Sequence, residues 1–232
     1  LGISAGIAMD STNVVGIRLG SDITKSTAGA WAAGSGQNGM ADSVTIGNNT
    51  WYHVFAGLAD GVGDVFIDTS VTGANAPSEF TYFRRIGSFK TDGSAQIINF
   101  VQDGDSFSWV TPVVDINVTS SGTSAVTRTL ASVPTGVRVQ AQLNVLNTNG
   151  NVGSVEVVYV SDLSQTDSAP GGLSFVSISP TVNASGGTQR SAGSVSVWTN
   201  TSAQIRSRQA LGDATSTLAI LTRGWIDRRG RN

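Results

Sequence analysis

The residues able to do chemistry are few in this sequence, and they are scattered along it. The single histidine, His53, lies among β-forming residues, and the chain of 232 residues has no cysteine. A general base needs a positioned partner and a metal site needs further ligands, so these residue types offer neither an imidazole pair nor a thiolate site. We interpret His53 as a structural strand residue, and we predict no catalytic, cofactor-binding or metal-binding residues.

Paired carboxylates are the remaining route to catalysis, because a glycosidase needs only two. Asp60, Asp64 and Asp68 are spaced by four residues. On a strand, Asp64 and Asp68 would share a face about 13 Å apart at ~3.3 Å per residue, too far for one catalytic pair. The Asp103-Gly104-Asp105 sequence lacks the full acidic spacing of a calcium loop, so we interpret it as a turn.

Arginines form two groups that would suit recognition of an anion. Guanidinium groups bind carboxylate and phosphate in a bidentate geometry, which fits an anionic glycan or a lipopolysaccharide phosphate. Ion pairs at a subunit interface, or a solvated terminus, are the simpler interpretation, and we favour it. The groups are Arg84 and Arg85 beside Tyr82 and Phe83, and Arg223, Arg228, Arg229 and Arg231 around Trp225 and Asp227.

Tryptophans are a further candidate for ligand contact, because their rings stack on sugars. The chain has few other large apolar side chains, however, so we expect most of its tryptophans to lie in the core. The five tryptophans are Trp31, Trp51, Trp109, Trp198 and Trp225.

The composition excludes several classes of protein. Charged residues make up 13% of the chain, about half of the roughly 25% found in ordinary soluble domains. The net charge is −2, and the only lysines are Lys25 and Lys90, which argues against a nucleic-acid-binding protein that depends on phosphate contacts. The longest strongly apolar runs have about four residues. A transmembrane helix needs roughly 20, so we predict no membrane insertion.

Apolar and polar side chains alternate with period two, the pattern of strands that have one buried face. In the segment 137–145 the odd-numbered residues are apolar and the even-numbered residues are polar. The segment 194–199 repeats this alternation with Val195 and Val197. The segment 155–160 is a more continuous apolar run, as expected for a strand covered on both faces.

Asx-Gly pairs tolerate the positive φ angles of hairpin turns, and four of them separate the strand-like runs. Consecutive hairpins of this kind give antiparallel sheets. The predicted pairings are 51–58 with 62–68 at Asp60-Gly61, 85–90 with 95–101 at Asp92-Gly93, 95–101 with 105–109 at Asp103-Gly104, and 137–146 with 155–160 at Asn149-Gly150.

We predict an all-β protein, an antiparallel β-sandwich or a jelly-roll-like fold, because many short strands at about 8–12-residue spacing are typical of these folds. Near Trp109–Pro112 an aromatic, hairpin-rich module at 1–110 gives way to a C-terminal β-sandwich module at 111–232. No glycine- and serine-rich linker separates the two modules, so we expect them to share a core. Small polar loops at sheet ends are expected at Gly34–Asp42, Ser161–Gly172 and Asn183–Gly193.

Four stretches of strand-forming and turn-forming residues are distinctive when taken together. They are Asn49–Phe55 followed by Gly63-Asp64-Val65, then Tyr82–Gly93, Ile97–Trp109 and Gly224–Arg231. Together they resemble the tail-fibre-like virion structural proteins of tailed bacteriophages and prophages. The resemblance is strongest from about Thr50 to Asp115. It consists of strands and turns without a catalytic motif, so it implies a class of protein and assigns no functional residues.

The resemblance implies a fibre or spike module of a phage virion that is not an enzyme. Such a module is assembled in the host cytoplasm and displayed on the particle surface as a tail or capsid appendage. Fibres of this kind are commonly homotrimers, so we expect a homotrimer that contacts other virion proteins. A start at Leu1 in place of Met is expected for a module of a longer polypeptide.

The expected task is attachment to a host glycan or lipopolysaccharide by multivalent binding, with contact loops at 34–42 and 183–193. A capsid decoration or head-fibre protein that stabilises the shell is the first alternative function. A polysaccharide depolymerase, which needs a close acidic pair in a groove, is the second. Position on the particle separates the first alternative from attachment, and sugar release from host polysaccharide would identify the second.

Overall fold

The structure, a computed structural model, describes residues 1–170, 177–182 and 187–229. Throughout these residues the regular secondary structure is β, mostly in antiparallel pairs, which confirms the predicted all-β, sandwich-like fold. The described ranges contain no helical segment with the length and hydropathy of a membrane span. The strands are β1 (Gly2–Ile3), β2 (Gly6–Met9), β3 (Gly16–Leu19), β4 (Ile23–Thr24), β5 (Ser26–Ala30), β6 (Asn38–Met40), β7 (Trp51–Ala59), β8 (Val62–Asp68), β9 (Phe80–Lys90), β10 (Phe100–Asp103), β11 (Ser106–Thr119), β12 (Val126–Thr129), β13 (Gln140–Asn149), β14 (Val155–Ser161), β15 (Ser177–Val182), β16 (Gln189–Trp198), β17 (Gln204–Gln209) and β18 (Thr217–Ile226).

The described chain forms two compact units, the first made of Leu1–Ile98 together with Arg229 and the second of Asn99–Arg228. The boundary that the sequence predicts between residues 110 and 111 falls within β11, which pairs with β18 on both sides of that point. Residues 109–112 interrupt this ladder without ending the strand. The change in composition at this point therefore coincides with an irregularity inside the second unit.

The first unit is built on a sheet in the order β5-β6-β8-β7-β9. At its centre β7 and β8 form a hairpin in which Ala59 pairs with Val62, so the first predicted hairpin is confirmed. The turn residues Asp60 and Gly61 have φ angles of 48° and 81°, and a type I′ turn requires positive φ at both positions. Glycine and aspartate adopt such angles more easily than other residues, which is why this residue pair indicates the turn.

An aromatic cluster forms the core of the first unit. Phe55 and Phe66 are paired across β7 and β8, and their rings stack with centroids 4.8 Å apart. Phe80 contacts Phe66 at 4.7 Å, and Trp31 contacts Phe80 edge-on at 5.0 Å. Aromatic pairs of this kind contribute about 0.5–1.5 kcal/mol each beyond the area that they bury. Packing on one face therefore stabilises the hairpin in addition to its turn.

The second predicted hairpin forms only next to its turn, where the N–H of Ile98 donates a hydrogen bond of 2.9 Å to the backbone oxygen of Lys90. In the described structure β9 pairs with β7, residues 95–99 form no strand, and an isolated bridge joins Thr91 to Ile97. The Asp92 carboxylate accepts a hydrogen bond from the N–H of Ser94 at 2.8 Å, so this Asx-Gly pair does make a turn. An Asx-Gly pair specifies a change of direction, however, and the strand that follows, β10, pairs with β11 and not with β9.

The second unit is a sandwich of two sheets, with the strand orders β10-β11-β18-β13-β16 and β12-β17-β14-β15. The alternation predicted for 137–145 is confirmed, since Leu143 is buried and its neighbour Asn144 is exposed. β16 follows the same pattern, with Val197 buried and Ser196 exposed. The apolar faces of these strands lie inside the sandwich, and their polar faces form one of its outer surfaces.

Of the two hairpins predicted in this unit, the third is confirmed and the fourth is wrong. Asp103 pairs with Ser106 across the turn between β10 and β11, as predicted. β13 and β14, by contrast, belong to different sheets. The physical reason is that β13 is a central strand whose two edges pair with β16 and β18, so it has no free edge for β14.

Buried polar side chains join the two sheets of the sandwich. On β13, Asn147 accepts a hydrogen bond at Oδ1 from Gln209 Nε2 (3.0 Å) and donates through Nδ2 to the backbone oxygen of Glu156 (3.2 Å). The Glu156 carboxylate is fully buried and accepts hydrogen bonds from the backbone N–H groups of residues 210–212 at 2.9 to 3.1 Å. Such a satisfied network fixes one arrangement of the two sheets, because an unpaired polar group in the interior is costly.

Asp213, just after this segment, gives the unit a pH-dependent contact. Its carboxylate accepts hydrogen bonds from the Thr215 hydroxyl (2.7 Å), from the Thr215 N–H (2.9 Å) and from Asn151 Nδ2 (2.9 Å). These bonds lower the pKa of Asp213 from 3.8 to about 2. Because the folded-state pKa is the lower one, the stabilisation is complete above the ordinary value of 3.8 and is lost as the pH falls through about 2.

We therefore expect Asp213→Asn to lower the free energy of unfolding near neutral pH, with a difference from the wild type that shrinks between about pH 4 and pH 2. Urea denaturation of both proteins across this range measures the difference. A gap of the same size at both ends of the range would contradict the assignment.

Candidate functional site

Three strands of the second unit end side by side, and their ends bring distant residues together. Gln140 at the start of β13 pairs with Trp198 at the end of β16 and with Ile226 at the end of β18. Antiparallel pairing places the first residues of one strand beside the last residues of its neighbours. Arg138, two residues before Gln140, and Arg228, two residues after Ile226, therefore lie near Trp198.

Trp198 lies on the outer face of its sheet and contacts both arginines. Its neighbour Val197 points into the sandwich and is 5% exposed, so the half-buried indole of Trp198 points to the opposite face. The guanidinium carbons of Arg138 and Arg228 each lie 5.2 Å from the centroid of the indole. Both distances are those of a cation–π contact, which is strongest with tryptophan. We refer to these three residues as the Trp198 cluster.

One carboxylate neutralises part of the charge of the Trp198 cluster. Asp162, directly after β14, forms an ion pair with Arg138. Burial raises the pKa of Asp162, but hydrogen bonds from the Ser164 N–H (2.9 Å) and from Arg138 outweigh burial, so the pKa lies below its ordinary value. Asp162 is therefore negatively charged at neutral pH.

The remaining charge of the cluster is positive and accessible to solvent. Arg228 is exposed and forms no ion pair with any carboxylate in the described part of the chain. The side chain of Arg138 is 53% exposed despite its ion pair. Among Arg138, Arg228 and Asp162, two cations and one anion leave one positive charge. Asp105 and the buried Asp227 are further carboxylates at this end of the sheet. The arrangement is suited to binding an anion, since guanidinium groups bind carboxylate and phosphate with charge-assisted hydrogen bonds.

Polar side chains continue from Trp198 along the same outer face. Gln142 pairs with Ser196, and Asn144 pairs with Ser194, whose Oγ donates a hydrogen bond of 2.8 Å to Asn144 Oδ1. Residues directly opposite one another share a face, so these amides and hydroxyls form a row beside Trp198. We refer to these four residues as the polar row.

His53 lies in the sheet of the first unit. It is 2% exposed, and its Nδ1 forms a hydrogen bond of 2.9 Å with Ser88 Oγ. The two residues are cross-strand partners on β7 and β9. Ser88 Oγ also accepts a hydrogen bond from Arg85 at 3.0 Å. His53 thus takes part in a buried cross-strand contact, as its interpretation as a strand residue requires.

The aspartates spaced by four residues have separate structural roles. Asp60 is a turn residue, as described above. Asp68 Oδ2 accepts a hydrogen bond of 3.0 Å from the N–H of Asn75 and so anchors the chain after β8. Asp64 forms a buried ion pair with Lys25, whose Nζ lies 3.0 Å from Asp64 Oδ1.

The Asp103-Gly104-Asp105 sequence forms the tight turn between β10 and β11, and Gly104 has a φ angle of 56°. Glycine is favoured at this position because the angle is in the left-handed region. In the residues that the structure describes, no group of three or more histidine, cysteine, aspartate or glutamate side chains is placed to hold a metal ion.

The C-terminal arginines have different surroundings. Arg223 is half-buried on β18, and Arg229 donates a hydrogen bond of 3.2 Å to the backbone oxygen of Ile86. Trp225 is fully buried and stacks on Phe107 with centroids 4.9 Å apart. Arg228 lies two residues beyond the end of β18 and contacts Trp198, on the outer face of the sheet. Arg231 lies outside the described residues.

The other arginine group makes contacts within the first unit. Arg84 donates a hydrogen bond to Asn13 Oδ1, and Arg85 donates to Ser88 Oγ as described above. Both contacts are made to residues of the same chain, and the role of this group at a subunit interface stays a prediction.

The tryptophans divide into two buried and three half-buried residues. Trp109 and Trp225 lie in the core of the second unit, whereas the other three are only partly buried, so the prediction that most of the tryptophans lie in the core is wrong. The half-buried tryptophans each contact a cation: Lys25 lies 5.3 Å from the ring centroid of Trp31, Lys90 lies 6.0 Å from that of Trp51, and Trp198 has its two arginines.

The segments predicted as polar loops only partly match the structure. The segment 34–42 contains β6, and both Met40 and Ala41 are fully buried, so its first half is the exposed part. In the segment 183–193, residues 183–186 lie outside the described ranges and residues 189–193 belong to β16. The segment 161–172 begins with the last residue of β14, and its residues 171 and 172 lie outside the described ranges.

One short motif of nucleophilic enzymes is present near the start of the chain. The Gly2–Gly6 segment has the G-x-S-x-G spacing, with Ser4 in the place of the nucleophile. A nucleophile elbow requires a sharp turn from a strand into a helix. Ser4 instead lies between β1 and β2, and the next N–H, that of Ala5, donates to Asp22 Oδ1 at 2.8 Å. The spacing therefore does not form an elbow.

Sequence patterns alone do not locate the Trp198 cluster. Arg138, Trp198 and Arg228 are separated by 60 and 30 residues, since 198 − 138 = 60 and 228 − 198 = 30. Their proximity follows from the order β18-β13-β16, which no local pattern specifies. The one signal that the sequence offers is the alternation of side-chain direction along a strand. Val195 and Val197 point inward, so Trp198, the next residue, must point outward.

Comparisons with known proteins do not identify a family: no protein-family model matches the chain, and no curated protein shows significant similarity to it.

Proposed function

We propose that the protein is a fibre or spike module of a bacteriophage virion, without enzymatic activity, that attaches the particle to the surface of its host. The observation that supports this most directly is the Trp198 cluster, where two exposed cations lie on an outward-facing indole. The resemblance of the sequence to tail-fibre-like virion proteins supports the class. In this proposal the module is assembled in the host cytoplasm and bound to other tail or capsid proteins.

The scaffold under the cluster suits a binding surface. β13 is bonded along both edges, to β16 and to β18, so the three strand ends that present the cluster belong to one continuous ladder. Sites built on strands are held more precisely than sites on loops. The indole of Trp198 is therefore held by the sheet before a ligand arrives, and the two arginines lie next to the strand ends. A ring that is already in place reduces the entropy cost of binding.

A single cluster of this kind would bind weakly, because its arginines are exposed to water and salt. Several copies in one homotrimer, and several trimers on one particle, would make the later binding events intramolecular. Such multivalency raises overall affinity by roughly 10²–10⁴ without any new contact. In the proposed mechanism, attachment is strong because many copies of a weak binding site bind the host surface together.

Exposed apolar side chains in the first unit support self-association. Ile7 and Met9, on the same face of β2, are 80% and 40% exposed, and Val14 in the turn that follows is 75% exposed. Apolar residues that are grouped on a surface commonly mark a protein interface. In the proposed homotrimer this hairpin face is covered by a neighbouring copy.

We expect the purified full chain to form a trimer, to bind host cells when labelled, and to reduce adsorption of the phage when added in excess. We expect Ile7→Glu with Met9→Glu to give monomers that bind cells at least about 100-fold more weakly, because avidity is lost. Sedimentation and cell-binding titrations measure the two effects. Val62→Glu, at a site 69% exposed on another hairpin of the same unit, is the matched control.

A trimer that neither binds cells nor competes with the phage would contradict the proposal. Antibody-labelled electron microscopy of the particle provides the second readout. Label at the tail or on fibres agrees with attachment, whereas label at the centres of capsid hexamers would show a decoration protein.

A further inference from the structure

We propose that the Trp198 cluster binds the anionic group, a carboxylate or a phosphate, of an acidic saccharide, and that Asp162 competes with this ligand for Arg138. The inference names the ligand class for the proposed attachment function. It rests on that function in one respect only, namely that the saccharide is part of a host surface. It starts from the contact of two exposed arginines with one indole.

Trp198 lies beside both guanidinium groups and leaves hydrogen-bond donors of each usable. A guanidinium has five N–H donors in its plane, and stacking of its face on a ring leaves these donors at its edge. Arg138 uses part of its edge for Asp162, whereas Arg228 has no carboxylate partner in the described ranges. Arg228 is therefore the main anion-binding residue of the cluster, and Arg138 is the second.

The ion pair of Arg138 with Asp162 shows that a carboxylate fits against this arginine in the folded protein. The Asp162 side chain is 10% exposed and is held by the Ser164 N–H, so it stays in place. A ligand anion thus approaches an exposed guanidinium next to an existing negative charge. Coulomb repulsion from that charge weakens binding, and its removal strengthens binding.

The polar row indicates that the anion belongs to a saccharide. Its amides and hydroxyls extend from Trp198 along β13 and β16 for four residues, which is about 13 Å at ~3.3 Å per residue. Amide and hydroxyl groups both donate and accept hydrogen bonds, as the hydroxyl groups of sugars do. β16 is at the edge of its sheet in the described structure, so a chain of sugar rings has access to the row from one side.

Isothermal titration of the full chain with four probes tests the ligand class. The probes are trigalacturonate, glucose 6-phosphate, neutral maltotriose and inorganic phosphate. We expect at least one of the two acidic sugars to bind, and maltotriose and inorganic phosphate to bind at least about tenfold more weakly. The better of the two acidic sugars identifies the anion as a carboxylate or a phosphate.

Three variants test the site itself. We expect Arg228→Gln to weaken binding of the acidic sugar about tenfold or more, because a charge-assisted contact is lost. We expect Asp162→Asn to strengthen binding by about threefold, because a competing charge is removed. Arg190→Gln is the matched control, since Arg190 is an exposed arginine at the opposite end of β16, and it should leave the affinity unchanged. Circular dichroism and unfolding midpoints check that each variant is folded.

The outcomes separate this inference from the proposed function. Failure of both acidic sugars to bind, equal binding of maltotriose or inorganic phosphate, or an unchanged affinity in folded Arg228→Gln would each overturn the inference. If labelled wild-type protein still attaches to host cells in those cases, the attachment function stands without this site. If the acidic sugar binds as expected and the protein does not attach to cells, the attachment function is the part that fails.

Discussion

Replacement of Lys25 by methionine is expected to lower the free energy of unfolding by about 3–5 kcal/mol, the cost of leaving one member of a buried ion pair without its partner. Lys25 is 2% exposed, and its Nζ lies 3.0 Å from Asp64 Oδ1. The same Nζ donates hydrogen bonds to the backbone oxygens of Ala32 (2.8 Å) and Gly34 (2.9 Å). The substitution therefore removes the cation, and the Asp64 carboxylate and the two carbonyl groups each lose the hydrogen-bond donor that Lys25 supplied.

Two further variants distinguish the ion pair from a simple loss of packing. In Lys25→Met with Asp64→Leu, both charges are absent, and we expect much of the lost stability to return. Lys90→Met is the matched control, because Lys90 is the other lysine and is only half-buried. Urea denaturation monitored by tryptophan fluorescence measures all three. A double variant as unstable as Lys25→Met alone would argue that the charges are not the cause.

Replacement of Glu156 by glutamine is expected to lower the free energy of unfolding by about 3 kcal/mol, since one carboxylate oxygen becomes an amide N–H group that cannot accept a hydrogen bond. Oε1 accepts from Ala210 (2.9 Å) and Leu211 (3.1 Å), and Oε2 accepts from Gly212 (3.0 Å). The glutamine side chain can place its NH₂ group at the position of Oε1 or at that of Oε2. In both cases the NH₂ group faces a backbone N–H donor, which then lacks an acceptor. The carboxylate matches this donor set, and its neutral analogue does not.

Hydrogen exchange gives a local readout of the same change. We expect the amide protons of residues 210–212 to exchange faster in Glu156→Gln, whereas those of the β7–β8 hairpin in the first unit keep their rates. Glu79→Gln is the control, because Glu79 is the only other glutamate and lies in a half-buried position before β9. Its expected effect is within about 0.5 kcal/mol. Equal losses of stability in the two variants would contradict the role assigned to Glu156.

The strand pattern of this protein is readable from its sequence because alternation is a local property. The segment 137–145 alternates in the sequence and in the structure, since one face is buried under the second sheet and the other meets water. The Asp60-Gly61 turn is readable for a similar reason, as its two residues adopt the φ angles that a type I′ turn needs.

The pairing of strands is not readable in the same way. Asn149-Gly150 predicts a turn, and a turn is found there, but the chain crosses to the other sheet because both edges of β13 are already paired. Contacts between side chains that are distant in the sequence are equally hard to predict. Lys25 and Asp64 are 39 positions apart, and nothing in their local sequence indicates that they form a buried pair.

The candidate site depends on this non-local information most of all. Arginine groups in the sequence suggested anion recognition near Trp225, whereas the structure places Arg228 on Trp198 and buries Trp225. Of the two predicted groups, only Arg228 joins the Trp198 cluster, and Arg138 belongs to neither group. The order of three strands brings these residues together, and the sequence alone does not give this order.

The central position of β18 has a consequence for how the second unit is made. β18 lies between β11 and β13 and pairs with both, yet it begins 111 residues after β11 begins, since 217 − 106 = 111. At a translation rate of roughly 5–20 residues per second, β11 leaves the ribosome roughly 5–20 s before its partner exists. Until β18 is synthesised, the edges of β11 and β13 that pair with it in the folded unit lack that partner, so the sheet can be completed only after the last strand is made.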